Sequence, residues 1–345
     1  MGLRSAAGIL AVEILLGAGS AAHAQSGGDP TACGVESTQQ WAMHSGNKIS
    51  VREYAGAEPP IVLMHGFPDN HHLYDRVVPY LCNRHIVLFE FLGWGDSDKP
   101  KVAEKPEDPN YYTFDDQVGQ LNDVITQRGL VKPVLAGHDI SGPAAINWAL
   151  DHPDNIGGIV LSNTFYNLTQ YNSMPEIIGI FGDLFEVKWA SVTFPIPLIP
   201  AQSWTFKNLT QAMAADPDVF RGLVKWQMGT FFRDDALRQA FFPILYAQFA
   251  ASPSTIPGFL ALNSDLVNVF RSNIASALAG RLNALDHIVR LVWGDQDRYF
   301  DVNEAQALHA IIPNSELILV KGAYHYLQMD EPAAVAGLLL TAPHR

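Results

Sequence analysis

Cysteine is nearly absent from this chain: there are two, Cys33 and Cys82, in 345 residues. Two cysteines cannot make the framework of a disulfide-built scaffold, and neither lies in a Cys/His cluster of the kind that holds zinc. Basic residues are scarce as well. Lys and Arg total 22 against 35 Asp and Glu, a net charge of −13, and there is no basic stripe. That excludes the electrostatic footprint of a nucleic-acid binder. Only 17% of residues are charged while 48% are hydrophobic, the balance of a globular chain rather than a disordered one. After the N-terminal stretch no apolar run reaches the roughly 18 residues that span a bilayer, so no stable membrane span is expected. Internal repeats are lacking. The length allows one large core, or a core with a smaller lobe.

The N-terminus stands apart. Arg4 precedes an apolar stretch, Ala6 to Ala18, and Ala22-His23-Ala24 fits a small-x-small cleavage site. Residues 1–24 read as a secretory signal peptide, with Glu13 a blemish in the apolar stretch and a buried or frayed N-terminal helix as the bland alternative. The expectation is an exported protein, periplasmic or secreted, in which Cys33 and Cys82 either pair or remain two separate thiols. Residues 25–40, rich in Gly, Asp, Ser, Thr and Gln, read as a flexible leader.

From Trp41 onward the pattern is regular. Buried strands are expected at Ile61–Met64, His85–Phe91, Val131–Gly137, Ile156–Ser162, Ile288–Trp293 and Glu316–Val320. Helices are expected at Leu73–Leu81, Thr113–Gln127 and Pro332–Leu340. Strands alternating with helices imply a mostly parallel sheet covered on both faces, an α/β fold. The rhythm breaks in the middle. Residues 166–284 show helical spacing, aromatics and proline breaks, with helices expected at Ile177–Trp189, Asp216–Phe231, Ala236–Ala251 and Ser264–Ala279. This segment reads as a helical cap inserted into a core made of 41–165 and 285–345.

The most telling six residues are Gly137-His138-Asp139-Ile140-Ser141-Gly142. They follow a strand and open a helix, with small residues two before and two after the centre. That is the pattern of a strand-to-helix elbow that presents a nucleophile, here Asp139 instead of serine. A serine attacking a saturated carbon would leave an ether, which water does not readily remove. A carboxylate leaves an ester, which activated water cleaves. Asp139 needs no base to ionise at neutral pH. An Asp that merely caps the following helix would explain the residue type but not its small neighbours. His325, after the last strand and before the last helix, is placed to act as general base, and its ordinary pKa suits proton transfer near neutrality.

These segments sit among others: His65-Gly66-Phe67-Pro68, Gly93-Trp94-Gly95-Asp96-Ser97-Asp98-Lys99-Pro100, Trp293-Gly294-Asp295-Gln296-Asp297 and Ala323-Tyr324-His325. Taken in order, they resemble the α/β-hydrolases with a helical cap, of the haloalkane dehalogenase and epoxide hydrolase group. The resemblance implies a catalytic triad of Asp139, His325 and Asp297. Asp297 holds the second acidic position of its segment, which favours it over Asp295 and Asp301. Asn163, at the alternative acid position, cannot supply a carboxylate. The resemblance also implies an oxyanion hole from the backbone N–H groups of Phe67 and Ile140. His65 is expected to brace its loop. Neither a metal nor an organic cofactor is implied.

Within that group the subclass is less clear. Haloalkane dehalogenases usually place Trp directly after the nucleophile; here it is Ile140. Epoxide hydrolases usually use two cap tyrosines, for which Tyr166, Tyr171 and Tyr246 are candidates, while Asn263–Asn273 offers none. Haloacetate dehalogenases show an Arg soon after the nucleophile, and none follows Asp139. Phe91-Leu92-Gly93-Trp94-Gly95 and Ser162-Asn163-Thr164-Phe165-Tyr166 tilt the reading towards a haloalkane dehalogenase. The expected substrate is small and apolar, under cap aromatics Phe181, Phe185, Trp189, Trp204, Phe231 and Phe232, some of which are ordinary cap core; Trp189, Trp204 and Trp226 read as core packing, with a donor role to a leaving group as the alternative. Two other readings remain: a serine-type esterase using Ser141, and a binding module that kept the fold without catalysis.

Overall fold

A computed structural model describes residues 36–105, 107–167, 217–251 and 255–344. Eight strands form one sheet in the order β1-β2-β4-β3-β5-β6-β7-β8. They are β1 (Thr38–His44), β2 (Asn47–Tyr54), β3 (Ala57–Met64), β4 (Arg84–Phe89), β5 (Val134–Asp139), β6 (Gly158–Thr164), β7 (Val289–Gly294) and β8 (Glu316–Val320). The pairs β1–β2 and β2–β4 are antiparallel, and every pair from β4–β3 to β7–β8 is parallel. Strands β5, β6 and β7 are buried along their whole length, as a parallel sheet clad on both faces requires.

The sequence pattern missed the β1–β2 hairpin, whose first strand begins inside the stretch expected as a flexible leader. Its two-residue turn is Ser45-Gly46, with φ of +50° and +85°, the mirror-image turn that matches the twist of paired strands. Alternation on β1 is too weak to declare a strand, since only Ala42 and His44 are buried there. Strand β5 starts at Val134, three residues later than expected. Lys132 takes φ +46° and Pro133 has no N–H for the ladder, so Val131 is left exposed. The helix expected at Leu73–Leu81 is replaced by two 3-10 turns, His71–Tyr74 and Val78–Tyr80. Pro79 lacks the N–H that would bond Asp75 in an α-helix.

On the flanks lie α1 (Phe114–Gln127), capped by the Thr113 hydroxyl accepting from the Asp116 N–H, and α2 (Gly142–Asp151). Between β6 and β7 the described residues are helical: α3 (Pro217–Met228), α4 (Asp235–Ala251), α5 (Thr255–Ser264) and α6 (Leu266–Leu278), then a 3-10 turn at Arg281–Leu285. The helices numbered here are those among the described residues. The pattern expected α6 to start at Ser264 and did not register α5. Asp265 marks the break, and its carboxylate accepts from the Phe114 N–H at the start of α1 (2.9 Å), tying cap to core. The chain ends with α7 (Val302–Ile311), α8 (Leu327–Asp330) and α9 (Pro332–Leu340). The helix expected at Ile177–Trp189 lies outside the described residues. Cys82 is disulfide-bonded; Cys33 lies outside the described residues. Among the described residues no helix is long and apolar enough to cross a membrane.

The chain leaves β3 towards β4 on one side and returns through α1 to β5 on the other. The carboxyl ends of β3 and β5 therefore flank a topological switch point, the place where open α/β sheets form their ligand crevice.

Candidate active site

Asp139 is the last residue of β5, and it is held at φ +52°. A non-glycine residue there is strained by about 1–3 kcal/mol, and the surroundings must over-determine it. They do so by being small. A Cβ on Gly66 would meet the Asp139 Cβ at 2.6 Å, and one on Gly142 would meet the Thr164 Oγ1 at 2.0 Å. The Thr164 hydroxyl donates to the Asp139 carbonyl oxygen. The turn closes through Ser141, whose Oγ accepts from the His138 N–H (2.9 Å) and donates to the His138 carbonyl (2.8 Å). Ser141 is completely buried. Its hydroxyl is spent on bracing the bend, which removes it as a nucleophile.

The Asp139 side chain lies across the switch point. Its Oδ1 accepts from the Phe67 N–H at 2.7 Å, and the Ile140 N–H also donates to the carboxylate. Burial pushes its pKa above the usual carboxylate value, while the His325 charge and the two N–H groups pull the other way. The second oxygen, Oδ2, lies 3.8 Å from His325 Nε2.

His325 sits five residues past the end of β8, and 2% of it is exposed. Its Nδ1 bonds Asp297 Oδ2 at 2.8 Å, which leaves Nε2 free to face Asp139. Burial opposes charging of the ring. The carboxylates of Asp297 and Asp139 outweigh it and raise the pKa above 6.5. Asp297, three residues past β7, is anchored in turn: Oδ1 accepts from the N–H groups of Tyr299 (2.8 Å) and Phe300 (3.2 Å). Its two sequence competitors are occupied elsewhere. Asp295 accepts from the Gly322 N–H (2.7 Å), and Asp301 caps α7.

Aromatic rings enclose this line of residues. Phe231 packs on His325 at 4.5 Å between centroids, and Phe300 lies at 5.8 Å. Phe67 meets Phe259 of α5, which stacks on Trp94 at 4.6 Å. His65 braces its loop, with Nδ1 on the Gly66 carbonyl and Nε2 accepting from the Phe91 N–H, and burial lowers its pKa to about 4.

The sequence model of the alpha/beta hydrolase fold family matches residues 59–332. This chain is an alpha/beta hydrolase. Over 125 residues the hydrolase is 36% identical to a fluoroacetate dehalogenase of Burkholderia sp, a match covering 36% of this chain and 40% of that enzyme. It is 24% identical over 286 residues to epoxide hydrolase 4 of Mus musculus, covering 82% of this chain and 72% of that one. The structure of a loop variant of haloalkane dehalogenase DbeA from Bradyrhizobium elkanii superposes with a TM-score of 0.60 at 18% identity, over 88% of this chain and 97% of that one, a likeness of fold.

The cap tyrosines do not behave as the sequence reading expected. Tyr166 is fully buried, and its hydroxyl donates to Asn147 of α2 at 3.0 Å. Tyr246 donates to the Arg221 carbonyl at 3.3 Å. Both hydroxyls are committed within the protein rather than free for a substrate. Tyr171 and Trp189 lie outside the described residues, as do Phe181, Phe185 and Trp204. Trp226 is 62% exposed, so it is neither core packing nor part of an enclosed pocket.

Four polar residues near the site, Asn163, Asp69, His138 and Asn263, are given no role by the sequence pattern. Asn163 donates to Asp297 Oδ2 at 2.5 Å and accepts from the Gly294 N–H at 3.0 Å. Asp69 and His138 are buried without exposure beside Tyr326. Asn263 of α5 is 1% exposed with neither amide atom hydrogen-bonded. It lies one helical turn beyond Phe259, on the face that meets Phe67. For Asn163 the signal was available, since it occupies the alternative acid position. The others depend on contacts far apart in sequence.

Among the described residues one group has metal-ligand spacing. His71, His72 and Asp75 bring one ligand atom each within 4.8 Å of one another. The Nδ1 atoms of both rings are already engaged, His71 with Glu90 and His72 with Asp75, each at 2.6 Å.

Proposed function

We propose that this alpha/beta hydrolase opens a carbon–halogen bond in a small apolar substrate through a covalent ester on Asp139. The observation that carries this reading is the division of labour at one carboxylate. Oδ1 already lies on the Phe67 N–H, with the Ile140 N–H also donating to the carboxylate, and Oδ2 faces the histidine.

In the first step Oδ2 attacks the saturated carbon, the C–O bond forms, and the halide leaves with the electron pair of the broken bond. In the second step His325 Nε2 takes a proton from water, and the hydroxide adds to the ester carbon. The negative charge then gathers on Oδ1, where the Phe67 and Ile140 N–H groups stabilise it. Collapse of this intermediate breaks the bond between carbon Cγ and the alkyl-bearing oxygen. The alcohol departs with the former Oδ2, protonated from the imidazolium. Asp297 steadies the imidazolium charge and keeps Nδ1 protonated, so that Nε2 presents its lone pair.

The resemblance to haloalkane dehalogenases, the 36% identity with a fluoroacetate dehalogenase and the aromatic enclosure support this assignment. No Arg follows Asp139 to clamp a substrate carboxylate, which favours an uncharged substrate over a haloacid. A departing halide needs a donor. Asn263 is the candidate, with a buried and unpaired amide on the cap helix that covers Phe67.

Epoxide opening is the second reading, favoured by Phe67-Pro68 after His65-Gly66 and by the likeness to epoxide hydrolase 4. It runs through the same ester. The engaged hydroxyls of Tyr166 and Tyr246 count against it. We further propose that the enzyme works outside the cytosol, a reading supported by the apolar N-terminal stretch and the disulfide at Cys82.

The test is a substrate panel on the purified enzyme that follows halide release and diol formation together, with intact-mass analysis of His325→Gln. Halide release, with an alkyl adduct on Asp139 in the variant, is the expected result. Diol without halide would move the assignment to epoxides. Activity with an adduct on Ser141, or no adduct with any substrate, would overturn it.

A further inference from the structure

Beside the triad lies a second buried carboxylate that the mechanism above does not use. Asp69 stands two residues past the oxyanion donor Phe67, and its side chain is completely buried. Its Oδ1 accepts a hydrogen bond from the Tyr326 hydroxyl. Its Oδ2 has no hydrogen-bond partner among the protein atoms. The nearest counterpart is His138 Nε2 at 4.0 Å, also unpaired. The other nitrogen of that ring, Nδ1, lies 3.1 Å from the Ser162 carbonyl. A carbonyl only accepts, so Nδ1 carries the proton, and in the neutral ring Nε2 offers a lone pair. Burial holds His138 in that neutral form, its pKa well below 6.5.

The His138 ring is 4.7 Å from the His325 ring, and His325 Nε2 is the third unpaired atom of the group. Among the described residues no donor bonds Asp69 Oδ2, His138 Nε2 or His325 Nε2, three acceptors that gather beside Asp139. Asp69 Oδ2 and His138 Nε2, both acceptors, cannot bond each other, so each is open to a proton from water. Groups buried in this way ordinarily find such a partner.

Building on the ester mechanism proposed above, we propose that Asp69 is a positioning residue for the hydrolytic water, with its Oδ2 accepting one proton of that water while His325 Nε2 takes the other. With both protons so directed, the oxygen lone pairs of the water are left for the ester carbon. His138 closes the third side with an acceptor, which prevents the water from turning a lone pair away from Asp139. The atoms balance as before: one proton goes to His325, hydroxide adds to Cγ, and Asp69 neither gains nor loses a proton in the step.

The arrangement works only while Asp69 is ionised, because a protonated Oδ2 would become a donor and bind the lone pair needed for attack. Burial raises the Asp69 pKa to about 7, with the Tyr326 hydroxyl opposing. Asp139 pushes in the same direction as burial, and His325 opposes it. Neutral His138 and the hydroxyl of Tyr74 complete the titratable surroundings.

Asp69→Asn keeps the shape and an oxygen for Tyr326, but it places an amide donor at one of the two positions. Rapid-quench single turnovers should show ester formation within about threefold of wild type and ester decay slowed on the order of 10²-fold, the scale of a misdirected proton transfer. The ester should then accumulate in the steady state by intact mass, and the decay rate should keep the His325 limb alone, losing the component that titrates with Asp69 near pH 7. Tyr326→Phe provides a second arm that does not depend on how Asp69→Asn folds. Loss of the opposing hydrogen bond raises the Asp69 pKa, so the limb should move to higher pH. Decay at the wild-type rate in Asp69→Asn, or an unmoved limb in Tyr326→Phe, overturns the assignment of Asp69. Absence of an ester in His325→Gln is a different failure, that of the ester mechanism itself.

Discussion

Asn163 donates its side-chain amide to Asp297 at 2.5 Å, on the same carboxylate oxygen that His325 Nδ1 meets at 2.8 Å. The two positions where an acid could serve the histidine therefore touch. Asp297→Asn should lower turnover on the order of 10²–10⁴-fold, since the ring loses its orienting charge. Asn163→Asp in that background returns a carboxylate to the cluster and should recover at least tenfold of the loss, measured as kcat. No recovery would show that the alternative position cannot reach the ring.

His325→Gln should separate the two chemical steps. Ester formation persists, and hydrolysis falls on the order of 10²–10⁴-fold, the usual contribution of a general base. In the wild-type enzyme, a single turnover in ¹⁸O-water should release alcohol without the label and leave the label in the Asp139 carboxylate. Labelled alcohol in the first turnover would mean that water attacks the substrate directly.

The pH dependence follows from the raised pKa of His325. The base must be neutral, so single-turnover ester decay should rise with pH through a midpoint above 6.5, alongside the Asp69 limb. Stability runs the other way. A histidine whose folded pKa lies above its unfolded value contributes stability that is complete below about 6.5 and fades as pH rises through the folded value. In His325→Gln, the pH slope of chemical-denaturation stability should lose that component.

Gly142→Ala places a methyl 2.0 Å from the Thr164 Oγ1. Overpacking of this kind costs about 1–3 kcal/mol, and the shift falls on the carbonyl of Asp139 itself. Urea unfolding should show the loss, and activity should fall with it. Thr164→Ala in the same background should restore part of the stability, a positive coupling between neighbours.

Asn263→Leu should act in opposite directions on stability and rate. Removing a buried amide with no partner should stabilise the fold by about 1–3 kcal/mol. Loss of the leaving-group donor should slow halide release on the order of tenfold or more. A variant with unchanged turnover would show that Asn263 has no part in the chemistry.

Much of this architecture is legible in the sequence, for a local reason. A sharp strand-to-helix bend needs small residues at fixed offsets, and Gly137 and Ser141 mark it on either side of Asp139. The parallel core strands announce themselves as short apolar runs. Segments governed by backbone detail were less visible: the Pro79 interruption, the late start of β5 behind Lys132 and Pro133, and the half-exposed β1. Asp69 and Tyr326 are separated by 257 residues, and no pattern in either neighbourhood hints that they meet. The engagement of the Tyr166 hydroxyl by Asn147 is equally invisible, because it depends on how the cap rests on α2.

The corner where α3 passes to α4 is fastened to the histidine loop. The Tyr326 N–H donates to the Phe231 carbonyl at 3.0 Å, and the Arg233 N–H donates to the Asp330 carboxylate at the same distance. Arg233 also reaches the Asp330 carbonyl at 2.8 Å and pairs with Glu331 at 2.5 Å. Four hydrogen bonds thus rivet this corner to the segment from Tyr326 to Glu331. Whatever shifts this corner therefore pulls directly on the loop that carries His325.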